Sequence, residues 1–479
     1  MIIARTEELK ALRRIKEADE SCFAAVYGRR RVGKTFLIRE AYEYHFTFQH
    51  AGLSPEQGGR TKKAQLEAFS ISLAKAGLKE FKKPENWLEA FSLLEDLINL
   101  SDEPKKVIFI DELSWMDTRK SDLISALEYF WNARMTARKD VVLVVCASAT
   151  SWMMNKIVHN RGGLYNRLHL KINLRPFTLP DCEAFAAAKG IRMNRYQLLE
   201  CYMILGGIPY YWDQLDKGLG LSQNIDAMFF AENPILENEF KYLYASVFST
   251  PEPYVRIVTA LGRKKVGMYR EELLAETGIH DSGTFSELLE NLENCGFIRC
   301  YHEFGKKKRN KKYQLIDNFT LFYFKFLEQK PNDSHYWTNQ LNTPTRNAWC
   351  GLAFERVCLE HISAIKHRLG IEGVLTETVS WSCTEDPEKG LFGSQIDLLI
   401  VRKDQVINLC EMKYASSLYT ITKKTDESLR RKISDLMTDT GTRYAIHTTL
   451  ITPYGLTKNE YTGNVQAQIL AEDLFYPNK

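Results

Sequence analysis

The chain has 479 residues and a net charge of +4, with 44% hydrophobic and 26% charged residues, ordinary proportions for a soluble globular protein. The length exceeds one ordinary domain, with about three as the prior. So small a charge implies no general attraction to nucleic acid, so any such role rests on where the charges cluster. No run of about 18 apolar residues occurs, and the opening MIIARTEELKALRRI lacks an apolar core, so neither a membrane span nor a secretory leader is expected. The ten cysteines show no zinc-ligand spacing and read as reduced thiols of a cytoplasmic protein.

The first informative stretch is SCFAAVYG, residues 21–28, an apolar run closed by glycine. It continues through RRRVG into KTFLIREAYEY, whose apolar residues have helical spacing. Strand, loop and helix are the setting a phosphate loop needs, with Gly28, Gly33, Lys34 and Thr35 at its fixed places. Backbone N–H groups at the helix start face phosphates. Lys34 is expected to reach the β and γ phosphates of ATP, and Thr35 to bind Mg²⁺. Arg29, Arg30 and Arg31 fall at variable loop positions and are expected to face solvent or a partner.

KKVIFIDELSWM then reads as a buried strand delivering two carboxylates at its end. Asp111 suits the Mg²⁺ shell, and Glu112 suits the orientation or deprotonation of attacking water. DVVLVVCASATSWM is another buried strand, ending in Ser148, Thr150 and Ser151. A hydroxyl there, with Thr150 the chosen candidate, senses a γ-phosphate or caps a helix; both roles stay open. Helices are expected over 63–76, 87–100 and 121–138. Strands alternating with helices imply a parallel sheet covered on both faces.

Between 249 and 330, three short helices are expected: PEPYVRIVTALGRK, MYREELLAETGI ending at Gly278, and DSGTFSELLENLENCGFI. The third presents Phe285, Leu288, Leu289 and Leu292 on one face, and Glu287, Glu290, Asn291 and Glu293 outward. With the hairpin FIRCYHEFGKKKRNKKYQLID the pattern is a winged helix-turn-helix. Its tip carries six cations, Lys306, Lys307, Lys308, Arg309, Lys311 and Lys312, suited to DNA phosphates.

From 331 to 479 the pattern is α/β. NAWCGLAFERVCLEHI reads as a helix carrying Glu355. GSQIDLLIVRKDQVINLCEMKYA reads as two strands, 395–402 and 405–413, about a tight turn. Folding that hairpin puts Asp397 roughly opposite Glu411, and Lys413 lies two residues on, so on the same face. Crowded carboxylates call for a cation, and Mg²⁺ suits all-oxygen ligands. The expectation is one metal site on the edge of a mixed sheet, with Glu355, Asp397 and Glu411 as ligands and Lys413 catalytic.

The order of phosphate loop, Asp-Glu strand, hydroxyl-ending strand, RGGLYNRLHLKINLRPFTLPD and GGIPYYW resembles the archaeal-type ATPases, AAA+-related P-loop NTPases close to the STAND class. The resemblance implies an ATPase with a helical lid over 1–248. It implies that Arg5 near the start and Pro209, with Gly206 and Gly207, border the nucleotide. It also makes Arg161 and Arg167 candidates to touch a γ-phosphate in cis or from a neighbouring copy, which leaves a homo-oligomer open. Glu355, Asp397 and Glu411-x-Lys413 resemble the PD-(D/E)XK nucleases, a domain that ends many archaeal-type ATPases. The function expected is ATP hydrolysis coupled to DNA binding and Mg²⁺-dependent DNA cleavage. The alternative is a STAND-like, ATP-gated switch whose last two regions only bind partners.

Overall fold

A computed structural model describes residues 2–55, 58–59, 61–160, 162–248, 250–306 and 310–477. The chain forms two compact units, Met1–Pro176 with Tyr242–Pro251, and Phe177–Lys241 with Glu252–Lys479.

The first unit is built on β1 (Cys22–Tyr27), β2 (Phe48–Ala51), β3 (Lys106–Asp111), β4 (Val141–Ala147) and β5 (Leu170–Asn173). They form one parallel sheet in the order β2-β3-β4-β1-β5. Every residue of β1 and β4 is buried, as expected of a parallel sheet with both faces covered. Helices Lys62–Lys75 and Trp87–Leu100 take their starts from Thr61 and Asn86, whose side chains accept backbone N–H bonds from Ala64 and Glu89. They bury Phe69, Trp87 and Phe91 against the sheet, each such side chain worth about 1.5–3 kcal/mol. The helix expected over 121–138 is shorter: Leu123–Tyr129, continued by a π-helical turn Phe130–Met135.

The second unit contains the helical stretch after Phe177, which the sequence suggested as a lid. Its Gly207 admits no side chain, because a Cβ there would sit 1.8 Å from the Phe177 carbonyl oxygen. His361 accepts the Leu179 N–H at 3.1 Å. Next come helices Glu252–Arg263, Arg270–Thr277 and Gly283–Asn294, with β6 (Met268–Tyr269), β7 (Ile298–His302) and β8 (Lys311–Leu315). These strands form an antiparallel sheet ordered β6-β8-β7. Gly278 ends the middle helix at φ 64°, a left-handed cap suited to glycine. Phe285, Leu288, Leu289 and Leu292 face inward, but so does Asn291, expected outside; its amide donates to the Tyr254 hydroxyl at 2.8 Å.

The last sheet comprises β9 (Thr376–Asp386), β10 (Leu391–Arg402), β11 (Val406–Met412), β12 (Ala445–Thr452) and β13 (Ala467–Leu470). Its order is β13-β12-β11-β10-β9, antiparallel across β9, β10 and β11 and parallel beyond. Helix Lys423–Thr440 lies on this sheet and buries Leu429 and Leu436 with Trp381, Leu399 and Leu409. β10 and β11 are therefore interior strands of a mixed sheet. All ten cysteines are free, and eight are buried.

Candidate functional sites

The phosphate loop leaves β1 at Gly28, whose φ is 146° and whose Cβ would meet the Leu174 carbonyl oxygen at 2.2 Å. Only glycine fits there. Gly33 has open space around it, and its φ of 92° is what selects glycine. Lys34 then starts the helix Lys34–Ala41. Its buried ammonium donates to the carbonyls of Gly28 at 2.9 Å and Arg29 at 3.0 Å, and to the Ser148 hydroxyl at 3.0 Å. All three acceptors are neutral, so its charge stays available to an anion. Arg29 is buried rather than facing solvent, and Arg30 donates to the Tyr242 carbonyl at 3.2 Å.

The two acids arrive from β3. Asp111 accepts the Thr35 hydroxyl on Oδ2 at 2.7 Å. Its Oδ1 accepts the Glu112 N–H at 2.9 Å and the Cys146 thiol at 2.9 Å. Burial pushes that thiol well above its ordinary range, so the sulfur keeps its proton. Glu112 sits in left-handed backbone, φ 47°, a strained setting for a non-glycine residue. Its Oε1 accepts the Ser148 hydroxyl at 2.5 Å, and its Oε2 the Ser148 N–H at 3.0 Å. Ser148 thus ties Lys34 to Glu112.

Thr150 opens the helix Thr150–Met153, fully buried, and its hydroxyl has no hydrogen-bond partner among the described residues. Arg5 donates to the Arg175 carbonyl at 2.5 Å, and its other nitrogen lies 3.6 Å from Glu8. Pro209 begins the short helix Pro209–Asp213 in the second unit. Arg167 is exposed, and Arg161 lies outside the described residues.

A cleft of about 300 Å³ in the second unit holds Glu355, Asp397, Glu411 and Lys413 together. Helix Pro344–Glu360 brings Glu355. The β10–β11 ladder pairs Leu398 with Cys410, so Asp397 and Glu411 fall on the next rung. Lys413 follows β11, 2.8 Å from Glu411. Sequence reasoning missed two lysines here. Lys432, from helix Lys423–Thr440, stands 2.7 Å from the other Glu411 oxygen, and Lys265, before β6, stands 3.4 Å from Glu355. Neither occupies a motif position; Lys265 precedes Glu355 by 90 residues, so no local spacing announces it.

The carboxylates differ. Burial, and then the negative charge of Asp397, push Glu355 above its ordinary value, against Lys265. Burial also pushes Glu411 upward, but Lys432 and Lys413 together outweigh it and hold it low. Lys413 is raised, since Glu411 outweighs its desolvation. Among the described residues, the acid, His and Cys donors that lie within 4.8 Å of one another are Glu20, Cys22 and His169, not the three cleft carboxylates.

Lys306, itself exposed, and Lys312 pair with buried Glu303 at 2.8 and 3.2 Å. Glu303 also accepts the Tyr269 hydroxyl and the Ser382 hydroxyl, and is held down to about 2; burial opposes that shift, and Lys306 is the foremost of the donors that outweigh it. Lys311 is also exposed, while Lys307, Lys308 and Arg309 lie outside the described residues.

A parallel five-stranded sheet with a phosphate loop and an Asp-Glu strand defines a P-loop ATPase, and the protein is an ATPase. Residues 3–215 match the family described as an ATPase domain predominantly from Archaea. Over 378 residues the chain is 26% identical to the uncharacterized protein MJECL04 of Methanocaldococcus jannaschii, spanning 76% of this chain and 77% of that one. Among solved structures it is similar to a Walker-type ATPase of Pyrococcus abyssi, at 15% identity and TM-score 0.46, over 68% of this chain and 96% of that one. It is also similar to the ORC2 protein of Aeropyrum pernix, at 13% identity and TM-score 0.39, over 75% and 96% of the two chains. No helix among the described residues is long and apolar enough to cross a membrane.

Proposed function

We propose that the chain couples ATP binding and hydrolysis to DNA binding and Mg²⁺-dependent DNA cleavage. Three regions carry the three parts: the ATPase, a winged helix over 249–330, and a PD-(D/E)XK-like region over 331–479. Lys34 and the loop N–H groups hold the phosphates, Thr35 and Asp111 hold Mg²⁺, and Glu112 takes the proton of the attacking water. The residues suit these ligands: Lys34 donates to neutral oxygens, with no acid paired to it among the described residues, and Asp111 points an oxygen at Thr35. Bound Mg²⁺ offsets the negative charge of the phosphates. For Glu112 to serve as base, its two oxygens must leave the Ser148 donors that occupy them.

The single observation carrying the cleavage reading is the meeting of Glu355, Asp397, Glu411 and Lys413 in one cleft from separate elements. Their carboxylate oxygens suit Mg²⁺, and Glu355 is raised by burial first and by the nearby Asp397 charge second. Lys413 stabilises charge developing on a phosphodiester. The test is nicking of supercoiled plasmid with Mg²⁺ or Mn²⁺. Wild type is expected to cut and Asp397→Ala to be silent at unchanged ATPase rate; equal cutting by both, or none by wild type, removes the nuclease reading.

One observation favours a second reading, an ATP-gated switch whose cleft binds a partner. Lys265, Lys413 and Lys432 already pair with the acids, as in a charge-matched binding surface. A wild type that cuts nothing but binds DNA in an ATP-dependent way supports it.

A further inference from the structure

Asp111 receives one contact that a phosphate loop and an acidic strand do not by themselves supply. A carboxylate turns freely about its last bond, because that torsion is broad and roughly two-fold. Here both oxygens are committed. Oδ2 meets the Thr35 hydroxyl at 2.7 Å, and Oδ1 meets two donors, the Glu112 N–H and the Cys146 thiol, each at 2.9 Å. The thiol comes from a different strand. The β3–β4 ladder pairs Ile110 with Val145, so the next rung sets Asp111 beside Cys146. Cys146 has no exposed surface, so water cannot replace its S–H.

We propose that Cys146 is a positioning residue of the Mg²⁺–ATP site: its S–H, donated to Oδ1, fixes the rotation of the Asp111 carboxylate so that Oδ2 is presented to Thr35 and the cation. A thiol is a weak donor to a neutral acceptor, but donation to a carboxylate is charge-assisted and stronger. With the thiol removed, Oδ1 keeps only the N–H of the adjoining residue, which moves with the same backbone and cannot tie the carboxylate to β4. The two oxygens then exchange more easily, and the cation meets an acid that must first be ordered. Metal affinity falls, while the chemistry of a filled site barely changes. The inference rests on Thr35 and Asp111 as the groups that hold Mg²⁺.

The experiment uses the full chain loaded with a non-hydrolysable ATP analogue. Mn²⁺ is titrated in, and free Mn²⁺ is read by electron paramagnetic resonance. Cys146→Ala is expected to raise the Mn²⁺ dissociation constant roughly five- to tenfold, the net scale of one ordinary hydrogen bond. Analogue binding in EDTA should match wild type, and kcat at saturating Mg²⁺ should stay within about twofold, since only ordering of the acid is lost. Cys146→Ser, which restores a donor, should recover most of the affinity. Wild-type Mn²⁺ affinity in Cys146→Ala, or a serine variant as weak as alanine, overturns the proposal and leaves Cys146 as packing. If the alanine variant does not fold, Cys146→Val takes its place as the donor-free partner to serine. Asp111→Asn is the control: unaltered Mn²⁺ binding there shows that the assignment of Asp111 has failed, rather than that of Cys146 alone.

Discussion

The phosphate-loop site and the carboxylate cleft each bring acids and lysine together, but they settle charge in opposite ways. In the first, Lys34 donates to neutral carbonyls and a hydroxyl, and Asp111 and Glu112 accept from a hydroxyl, a thiol and backbone. Charges are oriented by neutral groups and left for an ionic ligand. In the second, three lysines stand within 3.4 Å of Glu355 or Glu411, so the charge is largely met from within the protein. In the proposed metal site, a cation ligating Glu355 or Glu411 would compete with an ammonium. The first site therefore keeps its charges for a ligand, while in the second the acids already have ammonium partners.

The largest effects should come from the first site. Lys34→Ala should abolish nucleotide binding, read by fluorescence of a labelled ATP. Glu112→Gln should bind ATP normally yet hydrolyse it roughly 10²–10⁴-fold more slowly, the usual worth of a general base. Wild-type turnover by Glu112→Gln would show that Glu112 is not the base.

The cleft is next. Lys413→Ala should remove plasmid nicking and leave ATP hydrolysis unchanged. Lys265→Ala should act the other way on metal: freed of a competing ammonium, Glu355 should bind Mn²⁺ about two- to fivefold more tightly, since a half-exposed pair is worth only about 1 kcal/mol. Weaker or equal Mn²⁺ binding in Lys265→Ala breaks the contrast between the sites.

Each unit also carries a buried histidine whose burial lowers it from its ordinary value to about 4: His50 in the first, His361 in the second. A group held neutral by the fold takes its proton more readily when unfolded. Stability contributed by each is thus complete above about pH 6.5 and is lost as pH falls toward 4, by as much as about 3 kcal/mol per histidine. Urea midpoints measured between pH 7 and pH 4 should fall steeply in wild type, and less steeply in His50→Gln and His361→Gln. Parallel curves for wild type and variants would show that these imidazoles do not drive the acid response.

The smallest effect concerns the hairpin. Lys311→Ser should weaken DNA binding a few-fold and reduce its log–log salt slope by about 1. Lys306→Ser should leave the slope alone and lower thermal stability instead, because it uncovers Glu303. A salt slope that responds equally to both substitutions would mean Lys306 leaves Glu303 when DNA binds.

What the sequence determined by itself was local. Gly28, Gly33, Lys34 and Thr35 act through one strand, one loop and one helix, so their spacing already prescribes their geometry. Asp111 and Glu112 are set by ending a buried strand, and Asp397 with Glu411 by a hairpin whose register follows from its turn. The capped helices at Trp87 and Gly283 were legible for the same reason. Only the tertiary structure decided that Cys146 donates to Asp111, that Ser148 joins Lys34 to Glu112, and that Lys265 and Lys432 enter the cleft. It also gave Lys306 and Lys312 of the hairpin a buried acid, Glu303, as partner. A sequence records which side chains are charged, but a long lysine on a loop or helix face reaches several partners. Which partner it takes depends on elements far apart in the chain packing side by side, and that is fixed by the burial of apolar faces rather than by the charges themselves.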